Sequence, residues 1–141
     1  MEGTRLYVWS GLFVLAVGLL LWFLATWPGP WNTQRYVGTV LAVLGVSFVA
    51  LARYQLGRAF SVKAEAHHLV TTGLYSKIRN PIYVFGMVML AGVILVLQRR
   101  EGWLVLVAGV IGQAIRAHRE AQVLEAAFGE AYREYRRKTW F

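Results

Sequence analysis

The residues best suited to chemistry crowd into the stretch from His67 to Gly86, HHLVTTGLYSKIRNPIYVFG, which lies between runs of nearly pure hydrocarbon side chains. Pro81 is placed to initiate a helix, since its missing N–H costs nothing in a first turn. Arg79 and Asn80 then sit at the mouth of that helix, where free N–H groups and the positive end of the dipole converge. Such a terminus suits a carboxylate or a phosphate. Gly73, Tyr75 and Tyr83 add a turn former and two rings to the same stretch. Further along, Arg116, Glu120, Leu124 and Phe128 fall at successive i,i+4 positions, so Glu120 points where the apolar residues of that helix point.

Other chemistries are poorly supplied. The chain has no Cys, which excludes disulfides, thiolate catalysis and sulfur-ligated metals. It also has no Asp, so seven Glu and three His are the whole inventory of acids, bases and neutral ligands. His67 and His68 are adjacent on a non-helical segment and do not converge, so no metal is expected. His118 reads as exposed or interfacial. Met87, Met89, Tyr132 and Tyr135 read as packing and interfacial residues.

The elements that must position these groups are apolar helices. Hydrophobic residues make up 57% of the 141 residues and the mean hydropathy is +0.48, more than a soluble globule of this size normally carries. Tyr7 to Trp27, Tyr36 to Ala52, Ile82 to Leu97 and Trp103 to Ile115 contain no Asp, Glu, Lys or Arg. The first exceeds the roughly 20 residues needed to cross a bilayer, while the fourth must continue helically into the Arg116 region to do so. The first run is read as a span, not a cleaved leader: it is too long for an h-region and ends in Trp27-Pro28-Gly29-Pro30 instead of a cleavage site. The WPGPWN turn after it implies an antiparallel neighbour. Gly11 with Gly18, and Gly38 with Gly45, recur at seven-residue intervals as small packing residues.

Arg53 to Asn80 is too long for a mere link and too apolar for disorder, and is expected to fold back against the membrane surface. Gly129 is expected to end the last long helix, and Tyr132 to Lys138 to form a second, amphipathic piece at the interface. Trp140 and Phe141 end the sequence without a polar tail, as a truncated chain would.

The net charge of +8 sorts by side. If all four segments cross, twelve of the fifteen Lys and Arg share one face, and Arg35, Arg99 and Arg100 lie opposite. The positive-inside rule then puts both termini and the middle segment in the cytoplasm, in the inner membrane of a bacterium or archaeon. The basic face suits anionic lipid headgroups, and nucleic acid is not expected as a partner.

The pattern HxLVTTGxYxxxRNPxYxxG followed, after a helical hairpin, by ExxxLxxxFGxxYxxY resembles the isoprenylcysteine carboxyl methyltransferases and their relatives among phospholipid methyltransferases. The resemblance covers roughly Gly57 to Tyr135. It implies a small helical membrane enzyme that takes a methyl group from S-adenosylmethionine, releasing S-adenosylhomocysteine, at a cytoplasm-facing pocket. By the same resemblance His67, Leu69, Val70, Gly73, Tyr75, Arg79, Asn80, Pro81 and Tyr83 line that pocket from the first motif and Glu120 joins from the second, with Arg79 and Glu120 as the catalytic pair. Two departures stand out. Asn80 occupies a position that is commonly His, so it cannot titrate there. Glu120 is followed by Ala121 where paired acids are usual.

The expected fold is all-α: a single integral membrane domain, 1–141, with about four transmembrane helices. An N-terminal two-helix hairpin, 1–52, precedes a cofactor-binding core, 53–141, with an interfacial connecting segment and an amphipathic C-terminal helix. Membrane lipids and a lipophilic or small-molecule methyl acceptor are the expected partners. A carboxylate or thiolate acceptor would need no general base, whereas an ammonium acceptor would need one, for which Glu120 or a tyrosine is the candidate. The competing reading is a non-catalytic helical membrane protein that binds anionic headgroups. A transporter is disfavoured because no ionisable residue falls inside the apolar segments.

Overall fold

The computed structural model describes residues 2–56 and 69–141, with the side chains of the first helix described from residue 11 onward. Those residues form α1 (Glu2–Thr26), α2 (Thr33–Leu56), a 3₁₀ turn (Gly73–Ser76), α3 (Pro81–Leu97), α4 (Gly102–Phe128) and α5 (Glu130–Lys138). No strand occurs among the described residues; the one extended pairing is an isolated parallel bridge between Ile78 and Trp140. His67 and His68, and with them part of the expected surface segment, lie outside the described residues.

Small residues set the central contact. Gly38, Ala42 and Gly45 of α2 lie against α3 so closely that a Cβ on Gly45 would stand 2.5 Å from the Met89 nitrogen, and one on Gly38 would stand 2.7 Å from the Gly92 oxygen. Two backbones can approach this far only where side chains are missing, the usual device of helix pairs in lipid. The seven-residue glycine spacing thus marks a packing face on α2, and its partner is α3. A Cβ added at Gly11 or Gly18 of α1 would meet nothing from another element within 4 Å among the described residues, so these two glycines mark no packing face there. Helix α1 touches the others chiefly at its C-terminal end, where Leu24, Ala42 and Val96 form a buried cluster flanked by Leu20, Phe23, Trp27 and Val93.

That end is fastened by a residue whose charge alone marked it in the sequence. Arg35 is 1% exposed, and its guanidinium donates to the carbonyls of Gly29 at 2.7 Å, Trp27 at 2.7 Å and Leu24 at 3.1 Å, while lying 4.2 Å from the Trp31 ring centroid. Carbonyls at a helix C-terminus have no intrahelical partner, and a cation there also meets the negative end of the dipole. Arg35→Met is therefore expected to lower stability by about 2 kcal/mol or more, because several buried carbonyls lose their donor together. Thermal unfolding in detergent would show it, and an unchanged midpoint would contradict the capping role.

Helix α3 begins at Pro81 with Asn80 as N-cap, and ends at Gln98 in the left-handed conformation, φ 55°. Helix α4 continues past Ile115 into its charged half without a break, as a fourth apolar segment would need to; its 27 residues make a rod roughly 40 Å long. Gly129, φ 53°, ends it and redirects the chain into α5. Among the described residues one helix, Thr33–Leu56, is both long and apolar enough to cross a membrane; Gly11–Thr26 and Pro81–Leu97 are shorter apolar helices. Large apolar side chains stand exposed on α1, α2 and α4, among them Val14, Trp22, Val40, Leu104 and Val105. Exposed hydrocarbon on this scale marks contact with a membrane or another apolar partner.

Candidate functional site

Asn80 accepts from the N–H groups of Tyr83 and Val84 through its carbonyl, so the Arg79-Asn80-Pro81 mouth is continuous with the first turn of α3. That turn aims Tyr83 across at α4, where its hydroxyl donates to Glu120 Oε1. Arg116, one turn earlier on α4, donates from Nε to the same oxygen at 3.2 Å, and its guanidinium lies 5.6 Å from the Tyr83 ring centroid. Glu120 is thus neither a solvated surface charge nor a member of an i,i+4 pair alone. Its carboxylate is oriented from two helices, both of them bonding Oε1, and Oε2 has no hydrogen bond among the described residues.

The 3₁₀ turn approaches from the other side. Gly73, φ 62°, occupies a backbone conformation that L side chains rarely adopt, and the Gln55 amide fills the space where a Cβ would stand. Gln55 Oε1 accepts from the Leu74 N–H at 2.7 Å, which ties the turn to the last residues of α2. Tyr75 is buried, and its carbonyl accepts from the Tyr135 hydroxyl of α5 at 2.7 Å. The Tyr75 hydroxyl is held well above the ordinary phenol range, first by burial, then by Tyr135 and Glu120, with Arg53 opposing.

Burial pushes the Tyr135 hydroxyl up to about 12, Tyr132 adds to the rise, and Arg79 opposes it. The Arg79 Nε is buried with no hydrogen-bond partner among the described residues. A buried guanidinium N–H without an acceptor is costly, and a ligand carboxylate or phosphate is the acceptor that best satisfies it. The donors expected to be free at the mouth of α3 are partly taken: Arg79 N–H donates to the Trp140 carbonyl at 3.3 Å and Asn80 N–H to that of Phe141 at 3.0 Å. The reason is tertiary, since the chain after α5 runs back along this segment. Of the donors at this mouth, the Arg79 side chain is therefore more available to an anion than those amides are.

The two distant motifs thus meet at one end of the bundle. Tyr83 of α3 is bonded to Glu120 of α4, Tyr75 is tied to α5 through Tyr135, Arg79, Asn80 and Pro81 stand at the mouth of α3, and Gly73 lies against Gln55. Leu69 and Val70 are half-buried in the approach to the 3₁₀ turn, and His67 lies outside the described residues. His118 is exposed and bonds only with Gln122 among the described residues. A family model for phospholipid methyltransferases matches residues 33–131. The chain belongs to that family. It is therefore one of the small membrane methyltransferases, and the matched span runs from the start of α2 into the beginning of α5, enclosing the first motif and the second as far as Ala131. No curated protein matches the chain.

Gln55, Arg116 and the Tyr135 hydroxyl are parts of this site that residue types and spacing did not single out for it. Tyr135 also carries a pH signature. Its folded-state value lies above the roughly 10 of a free phenol, so its share of stability is complete below pH 10 and is lost as pH rises through about 12. Unfolding midpoints recorded between pH 9 and 12 are expected to fall, and the fall to be shallower in Tyr135→Phe; identical curves would remove Tyr135 as the cause.

Proposed function

We propose that this chain moves a methyl group from S-adenosylmethionine to a lipophilic or small acceptor at the cytoplasmic face of the membrane, in the manner of the isoprenylcysteine carboxyl methyltransferases. The observation that carries the reading is the convergence of Tyr83, Glu120 and Arg116 beside a mouth where Arg79 keeps a buried N–H with no acceptor among the described residues. The donor set fits this cofactor. Arg79 would meet its α-carboxylate, Glu120 its ammonium or ribose hydroxyls, and Tyr75 or Tyr83 would face its adenine or sulfonium. His67, Leu69, Val70, Gly73, Asn80 and Pro81 would complete the pocket.

When bound, the cofactor supplies a methyl group already activated on its sulfonium. The chain's own work is then to align an acceptor with that methyl and to keep water out. Glu120, already bonded to the Tyr83 hydroxyl, would accept a proton from a cationic acceptor, and an anionic acceptor would need no such base. The scaffold proposed for this is a single membrane domain of four spans with both termini inside, in which α4 carries the chain from the outer surface to Glu120 and beyond. It is supported by the length and apolarity of α2, the exposed apolar faces and the distribution of basic residues.

Calorimetry with S-adenosylhomocysteine on detergent-solubilised protein tests the cofactor. Binding is expected, and Glu120→Ala is expected to weaken it by roughly 10-fold or more, the worth of a charged hydrogen bond. Absence of binding by the unmutated protein would leave a non-catalytic lipid-binding protein as the better reading. Incorporation of labelled methyl into lipid extracts would then identify the acceptor class.

A further inference from the structure

Beyond α5 the chain runs beside the first motif. Trp140 N–H donates to the Lys77 carbonyl at 3.1 Å, and the Trp140 and Phe141 carbonyls receive Arg79 and Asn80 N–H at 3.3 and 3.0 Å. This is the parallel bridge of Ile78 with Trp140, whose C-terminal side lies beyond the span matched by the family model. The bridge carries few side-chain contacts of its own: Trp140 is 63% exposed and Phe141 44%. What holds it is backbone pairing, the buried Thr139 hydroxyl donating to the Tyr135 carbonyl at 2.9 Å, and the Tyr135 to Tyr75 bond. An edge fixed by a handful of hydrogen bonds with little apolar burial opens at far lower cost than the helix core. Gly129, in its positive-φ conformation, is the turn at which α4 gives way to α5.

We propose that Thr139–Phe141 is a strap that closes the cofactor site, and that strap docking and binding of the sulfonium nucleoside stabilise one another. The inference rests on the reading of Arg79 as a cofactor ligand. The residues whose amides dock the strap, Arg79 and Asn80, are those whose side chains stand at the proposed pocket. A ligand that orders Arg79 therefore orders the strap's template, and a docked strap fixes the backbone from which Arg79 reaches its ligand. By linkage each event favours the other to the same degree.

The test uses full-length Trp140→Pro, which deletes the N–H that donates to Lys77; Thr139 is already extended, φ −122° and ψ 152°, as a residue before proline should be. Trp140→Ala keeps that N–H and serves as the control. Hydrogen exchange at the Arg79 and Asn80 amides reads docking, and calorimetry with S-adenosylhomocysteine reads coupling. Trp140→Pro is expected to speed exchange at both amides and to weaken the nucleoside by about 10-fold. Trp140→Ala should match the unmutated protein, in which the nucleoside should slow the same two amides. Tyr135→Phe, which releases α5 from the Tyr75 carbonyl and leaves the strap's backbone intact, should give the same effects at several-fold. Faster exchange with unchanged affinity in Trp140→Pro and Tyr135→Phe overturns the strap and leaves the methyltransferase reading standing. Protected amides in a protein that binds no nucleoside overturn both.

Discussion

Arg79→Ala is expected to weaken binding of S-adenosylhomocysteine by roughly 10- to 100-fold, the range of a hydrogen-bonded charge pair removed from a partly buried site. The same substitution should leave the thermal midpoint of the ligand-free protein unchanged or slightly raised. That opposite sign follows from the orphaned Nε: deleting a buried donor with no acceptor removes a cost of folding as well as a contact. Arg79→Lys keeps the charge but loses the planar fork, and should fall between the two proteins in affinity. Because Arg79 opposes the rise of the Tyr135 hydroxyl, that group should titrate higher still in Arg79→Ala. A protein that loses stability and keeps its affinity would make Arg79 a structural cation instead.

The second large effect is expected far from the site. Gly92→Ala should destabilise the protein by about 1–3 kcal/mol, the cost of forcing a methyl into a filled interface. The added Cβ would meet the backbone of Ala42 and would stand 2.6 Å from the Gly38 oxygen. Neither can rotate away as a flexible side chain would, so α2 and α3 must separate. The comparison is Gly112→Ala, where nothing lies within 4 Å and helix propensity favours alanine by up to about 1 kcal/mol. Midpoints in detergent that move alike for the two variants would show that the α2–α3 approach is not as close as the structure has it. Since Gln55 hangs from the end of α2 and the first motif flows into α3, loss of that approach should also cost nucleoside affinity.

Asn80 illustrates how local features carry across to three dimensions. A proline fixes its own φ and tolerates only a first turn, so Asn80-Pro81 had to open a helix, and it does. Gly129 ends α4 for the equally local reason that a positive φ favours glycine there. Gln55 shows the opposite case. One polar residue in the last turn of a long apolar helix is unremarkable in sequence, and its partner, Leu74 N–H, lies on a turn whose position no local rule supplies.

The sequence by itself determined the all-helical class, the helix boundaries at Pro81 and Gly129, the glycine face of α2 and the two motifs, because each rests on short-range sterics, i,i+4 periodicity or a recognisable order of residues. Tertiary structure alone decided that α2 packs on α3, that Arg35 caps α1, that Tyr83 and Arg116 share one oxygen of Glu120, and that Trp140 and Phe141 occupy the amides of Arg79 and Asn80. These are contacts between residues distant in the chain, and their partners are chosen by which backbones can approach and which buried donors still need an acceptor.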